Sequence, residues 1–184
     1  MRIISGTLGG RRINPPSNMP YTRPTTDIAK EGLFNILQNN LDFENLKTLD
    51  LFGGTGNISY ELASRGANDL TIVERDTKMY DFIKKMVIDL KIVDVKLVKL
   101  EVFKFIKECN EKFDLIFAGP PYALQTIDAL PEFIFEKGLL KPGGWLVIEH
   151  TPRNNYEAFP YFKSSRNYGT TMFSFFVNQF ATTE

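Results

Sequence analysis

Cysteine and histidine each occur once in the 184 residues, as Cys109 and His150. A single cysteine excludes an internal disulfide and fits a reducing, cytoplasmic setting. One cysteine and one histidine leave too few ligands for a zinc site, so no metal is expected. No apolar run nears the ~18 residues of a membrane span, and the opening MRIISGTLGG lacks the apolar core of a secretion signal. Net charge is missing as well, since 22 basic residues balance 22 acidic ones. That excludes a chain coated in basic residues but leaves room for a local basic patch. Repeats and low-complexity tracts are also absent.

What is present is an ordinary globular composition, 43 % apolar and 24 % charged, in a chain long enough for one domain with its own core. The charge is unevenly spread. Residues 1–26 hold Arg2, Arg11, Arg12 and Arg23 without a single acid, among seven glycines and prolines. This stretch reads as a short hairpin and an irregular arm, an appendage able to contact phosphates. Residues 27–184 form the main domain.

The main domain alternates helix and strand. Residues 25–41 carry apolar positions at mostly helical spacing, with Thr25, Thr26 and Asp27 as N-cap candidates. Strands are expected at 47–52, 69–75, 95–100, 113–119 and at the end of LLKPGGWLVIEH, each separated from the next by a helical pattern. Residues 164–180 read as two strands joined around Gly169. Repeated strand-helix units imply an α/β fold with a mostly parallel sheet, helices on both faces, and one antiparallel strand from the terminal hairpin. Ligands of such sheets bind at the carboxyl ends of the strands.

Two such strand ends carry chemistry. The first is Asp50-Leu51-Phe52-Gly53-Gly54-Thr55-Gly56-Asn57. Its glycines permit a sharp turn and a close backbone approach to a ligand. No Lys-Ser/Thr follows, so it is not a Walker loop, and Ser59 stands where a dinucleotide fingerprint needs glycine. Asp50 would repel a pyrophosphate and attract an ammonium group. Glu74, about twenty residues on, is placed to hold ribose hydroxyls. A ribose at one end, a cation at the other and no phosphate between describe S-adenosylmethionine.

The second is Gly119-Pro120-Pro121-Tyr122. The prolines fix φ and donate no N–H, which leaves the carbonyls before and between them as rigid acceptors. Tyr122 offers a face on which a base can stack. Such a loop clamps a planar group bearing NH₂. Acceptors on the amine hydrogens favour the pyramidal form, whose lone pair can attack a sulfonium methyl. Alignment would supply most of the acceleration, up to roughly 7 to 11 kcal/mol in favourable cases. His150 reads as a strand-end hydrogen-bonding residue, and Cys109 as a core or half-exposed one.

The glycine loop, Glu74 in IVERD and the LKPGG turn resemble the Rossmann-like class I methyltransferases, which implies a seven-stranded sheet. GPPY resembles the (Asp/Asn)-Pro-Pro-(Tyr/Phe) signature of amino-methyltransferases acting on nucleic-acid bases, with glycine in the first place. MRIISGTLGGRRI and RPTTDIAKEGLFNIL, with LDLFGGTGNISYELASRGA and VIEH, closely resemble the bacterial 16S rRNA (guanine-N2)-methyltransferases over nearly the whole chain. That resemblance implies methylation of the exocyclic N2 amine of a guanine in small-subunit rRNA, within a 30S subunit or assembly intermediate, by a monomer. It implies a cofactor site of Asp50, Phe52, Gly53, Gly54, Thr55, Gly56, Asn57, Glu74, Arg75, Glu101 and Val102, with Thr25 and Thr26 closing over it. Gly119, Pro120, Pro121 and Tyr122 would be the catalytic loop, and Arg2, Arg11, Arg12 and Arg23 would contact RNA. Glu101 stands where many relatives carry an Asp, and Lys30 where arginine is common. Two alternatives stay open: an RNA-binding relative with impaired catalysis, because Gly119 replaces Asp or Asn, and an amino-methyltransferase of another base.

Overall fold

The computed structural model describes residues 1–17 and 25–179. Five parallel strands come first: β1 (Lys47–Asp50), β2 (Asp69–Val73), β3 (Val95–Val98), β4 (Phe113–Ala118) and β5 (Leu140–His150). The helices are α1 (Asp27–Gln38), α2 (Asn57–Ser64), α3 (Thr77–Asp89), α4 (Val102–Glu108) and α5 (Leu130–Glu136). The last two strands, β6 (Phe162–Tyr168) and β7 (Thr171–Val177), form a hairpin through Gly169. The sheet order is β3-β2-β1-β4-β5-β7-β6. β7 runs antiparallel to both β5 and β6, so it alone opposes the rest. The sheet is therefore the seven-stranded, mostly parallel one expected.

Period-two alternation sorts the strand residues into two cores. Leu115 and Phe117 of β4 and Trp145 and Val147 of β5 join Leu33, Phe34 and Leu37 of α1 and Leu62 of α2 on one face. Ile116, Ala118, Leu146 and Ile148 join Phe105 and Ile106 of α4 and Ile134 of α5 on the other. Both faces are dry, which is why β4 and β5 read as nearly continuous apolar runs. β3 is the exposed edge and its residues are only half buried. Several predicted strands end early; β1 stops at Asp50, because Leu51 and Phe52 already turn toward the glycines.

The N-terminal hairpin is closed by an antiparallel bridge between Arg2 and Arg12. It buries Ile3 and Ile13 against Tyr60 of α2 and Leu90 after α3. A fully buried ion pair anchors it. Lys30 Nζ lies 3.2 Å from Glu61 Oε2 and donates to the Arg2 carbonyl at 2.5 Å and to Asn57 Oδ1 at 2.8 Å. Glu61 in turn accepts from the N–H groups of Ile4 and Ser5 and from Arg65 Nε. Burial lowers the Lys30 pKa, while Glu61 and Asp27 pull it back up.

Sheet order decides which loops meet. β1 and β4 are parallel neighbours at the switch point, with Asp50 beside Phe117. β2 flanks β1 and β5 flanks β4. Four consecutive strands thus present their carboxyl ends side by side, about 4.8 Å apart.

Candidate functional site

The glycine loop is bound into the ladder on both sides. Leu51 N donates to Phe117 O and Gly53 N to Val73 O, each at 2.9 Å. A Cβ at Gly53 would lie 2.7 Å from the Ile72 methyl, and Gly56 has φ +76 with the Tyr60 ring stacked against it. Only glycine fits those two places. Asp50 Oδ2 accepts from Ser59 Oγ at 3.0 Å, and Asp50 Oδ1 from Phe52 N at 3.3 Å. Ser59, which breaks the dinucleotide fingerprint, is therefore the donor that orients the loop's carboxylate. Burial pushes the Asp50 carboxyl up to about 7, with Glu74 and Glu149 raising it further and the two hydrogen bonds opposing.

Glu74, just past β2, clasps the loop. Its Oε2 accepts from Gly54 N and its Oε1 from Asp76 N, both at 2.7 Å. Glu101 is the N-cap of α4 and accepts from Lys104 N at 3.0 Å, a helix-start role that leaves it at the rim of the pocket. Thr26 caps α1 by accepting from Ala29 N. Thr25 Oγ1 donates to Glu149 Oε2 at 2.6 Å. Asn57 Nδ2 donates to the Thr25 carbonyl at 3.3 Å, tying the start of α1 to the start of α2.

On the β4 side, Pro121 O accepts from Leu124 N and closes a turn. That turn engages the carbonyl of Pro121, the second of the two prolines. Tyr122 is 37 % exposed. Its hydroxyl lies 3.2 Å from both Glu149 Oε1 and Thr171 Oγ1. The ring is tethered at its tip and forms part of the cavity wall.

These parts share one cavity of about 660 Å³, a size suited to a nucleoside-sized ligand. Asp50, Phe52, Gly53, Gly54, Thr55 and Asn57 line it from the β1 loop, and Glu74 and Arg75 from the turn after β2. Glu101, Val102, Gly119, Pro120, Pro121, Tyr122 and Thr25 also belong to its wall. Gly56 and Thr26 do not touch the cavity; they shape the turns on either side. Arg2, Arg11 and Arg12 sit exposed on the hairpin, where Arg2 Nε pairs with Asp27 at 3.0 Å. Arg23 lies outside the described residues.

The sequence reading leaves several lining residues out, and among the acids these are Asp76 and Glu149. Glu149, next to last in β5, is 6 % exposed and lies in the cavity wall beside Gly119. The signal was there in VIEH, an acid at the end of a buried parallel strand, next to the histidine that drew attention. His150 points elsewhere: its ring nitrogens meet Thr151 O at 2.8 Å and Ser174 Oγ at 2.7 Å, and burial lowers its pKa. Cys109 is buried at the end of α4. No helix of the described residues is long and apolar enough to cross a membrane.

The model of a family described as conserved hypothetical protein 95 matches residues 1–177. A ribosomal RNA small subunit methyltransferase D of Buchnera aphidicola is 31 % identical over 164 residues, which span 85 % of this chain and 83 % of that protein. Among solved structures, a putative methyltransferase, yhhF, from Escherichia coli has the same fold, with a TM-score of 0.84 over 97 % of this chain and 98 % of its own at 23 % identity. A hypothetical protein from Thermus thermophilus also reaches 0.84, at 27 % identity over 96 % and 98 % of the two chains.

Proposed function

The chain belongs to the family described as conserved hypothetical protein 95, and from that premise and the pocket we propose that it methylates the exocyclic N2 amine of a guanine in small-subunit rRNA. The methyl donor is S-adenosylmethionine. The observation that carries the reading is the meeting of the glycine loop, Glu74 and the Gly-Pro-Pro-Tyr turn in one cavity.

The pocket's chemistry fits that donor. Gly53 and Gly54 bring bare backbone to the cavity wall, and the carboxylates of Asp50, Glu74 and Glu149 give it a cation-seeking character. Glu74 would hold the ribose hydroxyls and Asp50 the ammonium group. A dinucleotide would bring two phosphates against these acids. When bound, the donor supplies an electrophilic sulfonium methyl. The protein's part is to hold the amine in line with it. A carbonyl of the Gly119-Pro120 pair accepts one amine hydrogen, and Tyr122 stacks on the purine. Proximity of this kind supplies most of the acceleration.

The target base must leave its stack to reach the cavity, so an unpaired loop nucleotide is the natural substrate. The docked hairpin is the RNA-contacting appendage, with Arg2, Arg11 and Arg12 on phosphates, and the enzyme acts in the cytoplasm on a 30S particle. The deciding experiment supplies tritiated S-adenosylmethionine and 30S subunits from a strain lacking the enzyme, then identifies the labelled nucleoside. Label in N2-methylguanosine is expected. Cofactor binding without label in the RNA refutes the activity, and label in another base relocates the specificity.

A further inference from the structure

An amine nucleophile needs an acceptor for its hydrogens and, once methylated, a place to leave a proton. Gly119 brings no side chain to the clamp. A Cβ built on it would lie 3.8 Å from Glu149 Oε2. A carboxylate thus stands where a side chain from position 119 would have to reach, delivered from the neighbouring strand β5. Glu149 is nearly buried, is fixed by donations from Thr25 Oγ1 to one oxygen and from Tyr122 OH to the other, and lies near enough to Asp50 for its charge to be felt there. It lines the same cavity as the donor loop and the base clamp. A carboxylate accepts at about four lone-pair sites, so orienting hydroxyls and an incoming N–H can be held together.

Resting on the function proposed above, we infer that Glu149 is a catalytic residue: its carboxylate accepts an N–H of the substrate's exocyclic amine and then takes that proton. The amine lone pair forms the new C–N bond as the C–S bond breaks, and the pair of that bond stays on sulfur as a neutral thioether. The methylated nitrogen then carries the positive charge until Glu149 removes one of its hydrogens. Water takes the proton from Glu149 as product leaves. On this assignment Gly119 is no defect. An aspartate there would set a second carboxylate against the first, and like charges so close cannot both stay ionised. Its Cβ would also press the Phe117 ring at 3.0 Å.

The test uses Glu149→Gln, Gly119→Asp and the double variant. Calorimetry with S-adenosylmethionine checks that each still forms the cofactor site. Two readouts are taken: kcat on unmethylated 30S particles, and the relative affinity for guanosine and inosine monophosphates by NMR titration, inosine lacking the amine. Glu149→Gln should lower kcat about ten- to hundredfold, the value of a charged hydrogen bond, and erase the preference for guanosine with cofactor affinity kept. Gly119→Asp alone should bring no gain in rate. Added to Glu149→Gln, it should restore much of both the rate and the preference. A Glu149→Gln enzyme with native kcat and native preference overturns the inference while leaving methylation of the RNA intact. So does loss of cofactor binding in that variant, or failure of the double variant to recover, since either makes Glu149 scaffolding. A native enzyme that labels no RNA overturns both readings.

Discussion

Raising the pH from about 6 to about 8 should tighten cofactor binding about fivefold, and Asp50 is the reason. In the empty pocket its carboxyl is pushed up to about 7, chiefly by burial. At about pH 6 roughly one molecule in ten carries it ionised, and at about pH 8 roughly nine in ten. Only the ionised form attracts the donor's ammonium. The ratio of those populations is about tenfold, and loss of charge from about half of the donor's amine at about pH 8 brings the net change in Kd to about fivefold, or about 1 kcal/mol. Binding near neutrality must then release about half a proton. The donor's own amine loses its charge above about pH 8, so affinity peaks between the two. The sign for stability follows the same group. A carboxyl raised in the fold supports the unliganded protein below the ordinary carboxylate value, and that support is lost as pH rises through about 7. Melting temperature without cofactor should fall across this window, and added cofactor should return it. Titration calorimetry in two buffers of different ionisation enthalpy measures the proton directly. Asp50→Asn should bind weakly with a flat response below neutrality. Equal Kd at both ends of the range in the native protein, or proton uptake on binding, would refute the reasoning.

Lys30→Met leaves the buried Glu61 carboxylate without its ammonium partner and should cost about 3 to 5 kcal/mol in urea unfolding, with the hairpin released to proteolysis. Replacing Arg2, Arg11 and Arg12 by alanine should weaken RNA binding and flatten its salt dependence, by a slope of about 0.7 to 0.9 for each phosphate no longer neutralised. Cofactor affinity should stay as it was, because none of the three lines the cavity. Tyr122→Ala should cost about 1 to 3 kcal/mol in RNA affinity through lost stacking. Tyr122→Phe should keep most of that affinity but lower kcat, since it removes the hydroxyl that orients Glu149. Filter binding and steady-state kinetics separate the two.

Much of this protein is written locally. Apolar period two in β4 and β5, helical spacing in α1 and α3, the caps at Thr26 and the glycines of the β1 loop are patterns of near neighbours. They arise from the chain's own stereochemistry and from the need to bury one face. The candidate residues of the loop, Glu74 and the Pro-Pro-Tyr turn were legible for the same reason. Each lies at the end of a recognisable strand, and parallel sheets bind at those ends.

What the pattern left open belongs to strand order and to packing between distant segments. Glu149 is one acid among many until β5 lies beside β4 and sets it next to Gly119. Lys30 shares the helical stripe of Leu33, Phe34 and Leu37 in α1, and what offsets its buried charge appears only when the hairpin covers it and Glu61 meets it from α2. Ser59 changes meaning in the same way, as the donor to Asp50. Crossovers between parallel strands bring together residues far apart in the chain, and no periodicity encodes which strand becomes whose neighbour. Residue types and strand ends were therefore readable one segment at a time, whereas the shared cavity exists only once β2, β1, β4 and β5 stand in that order.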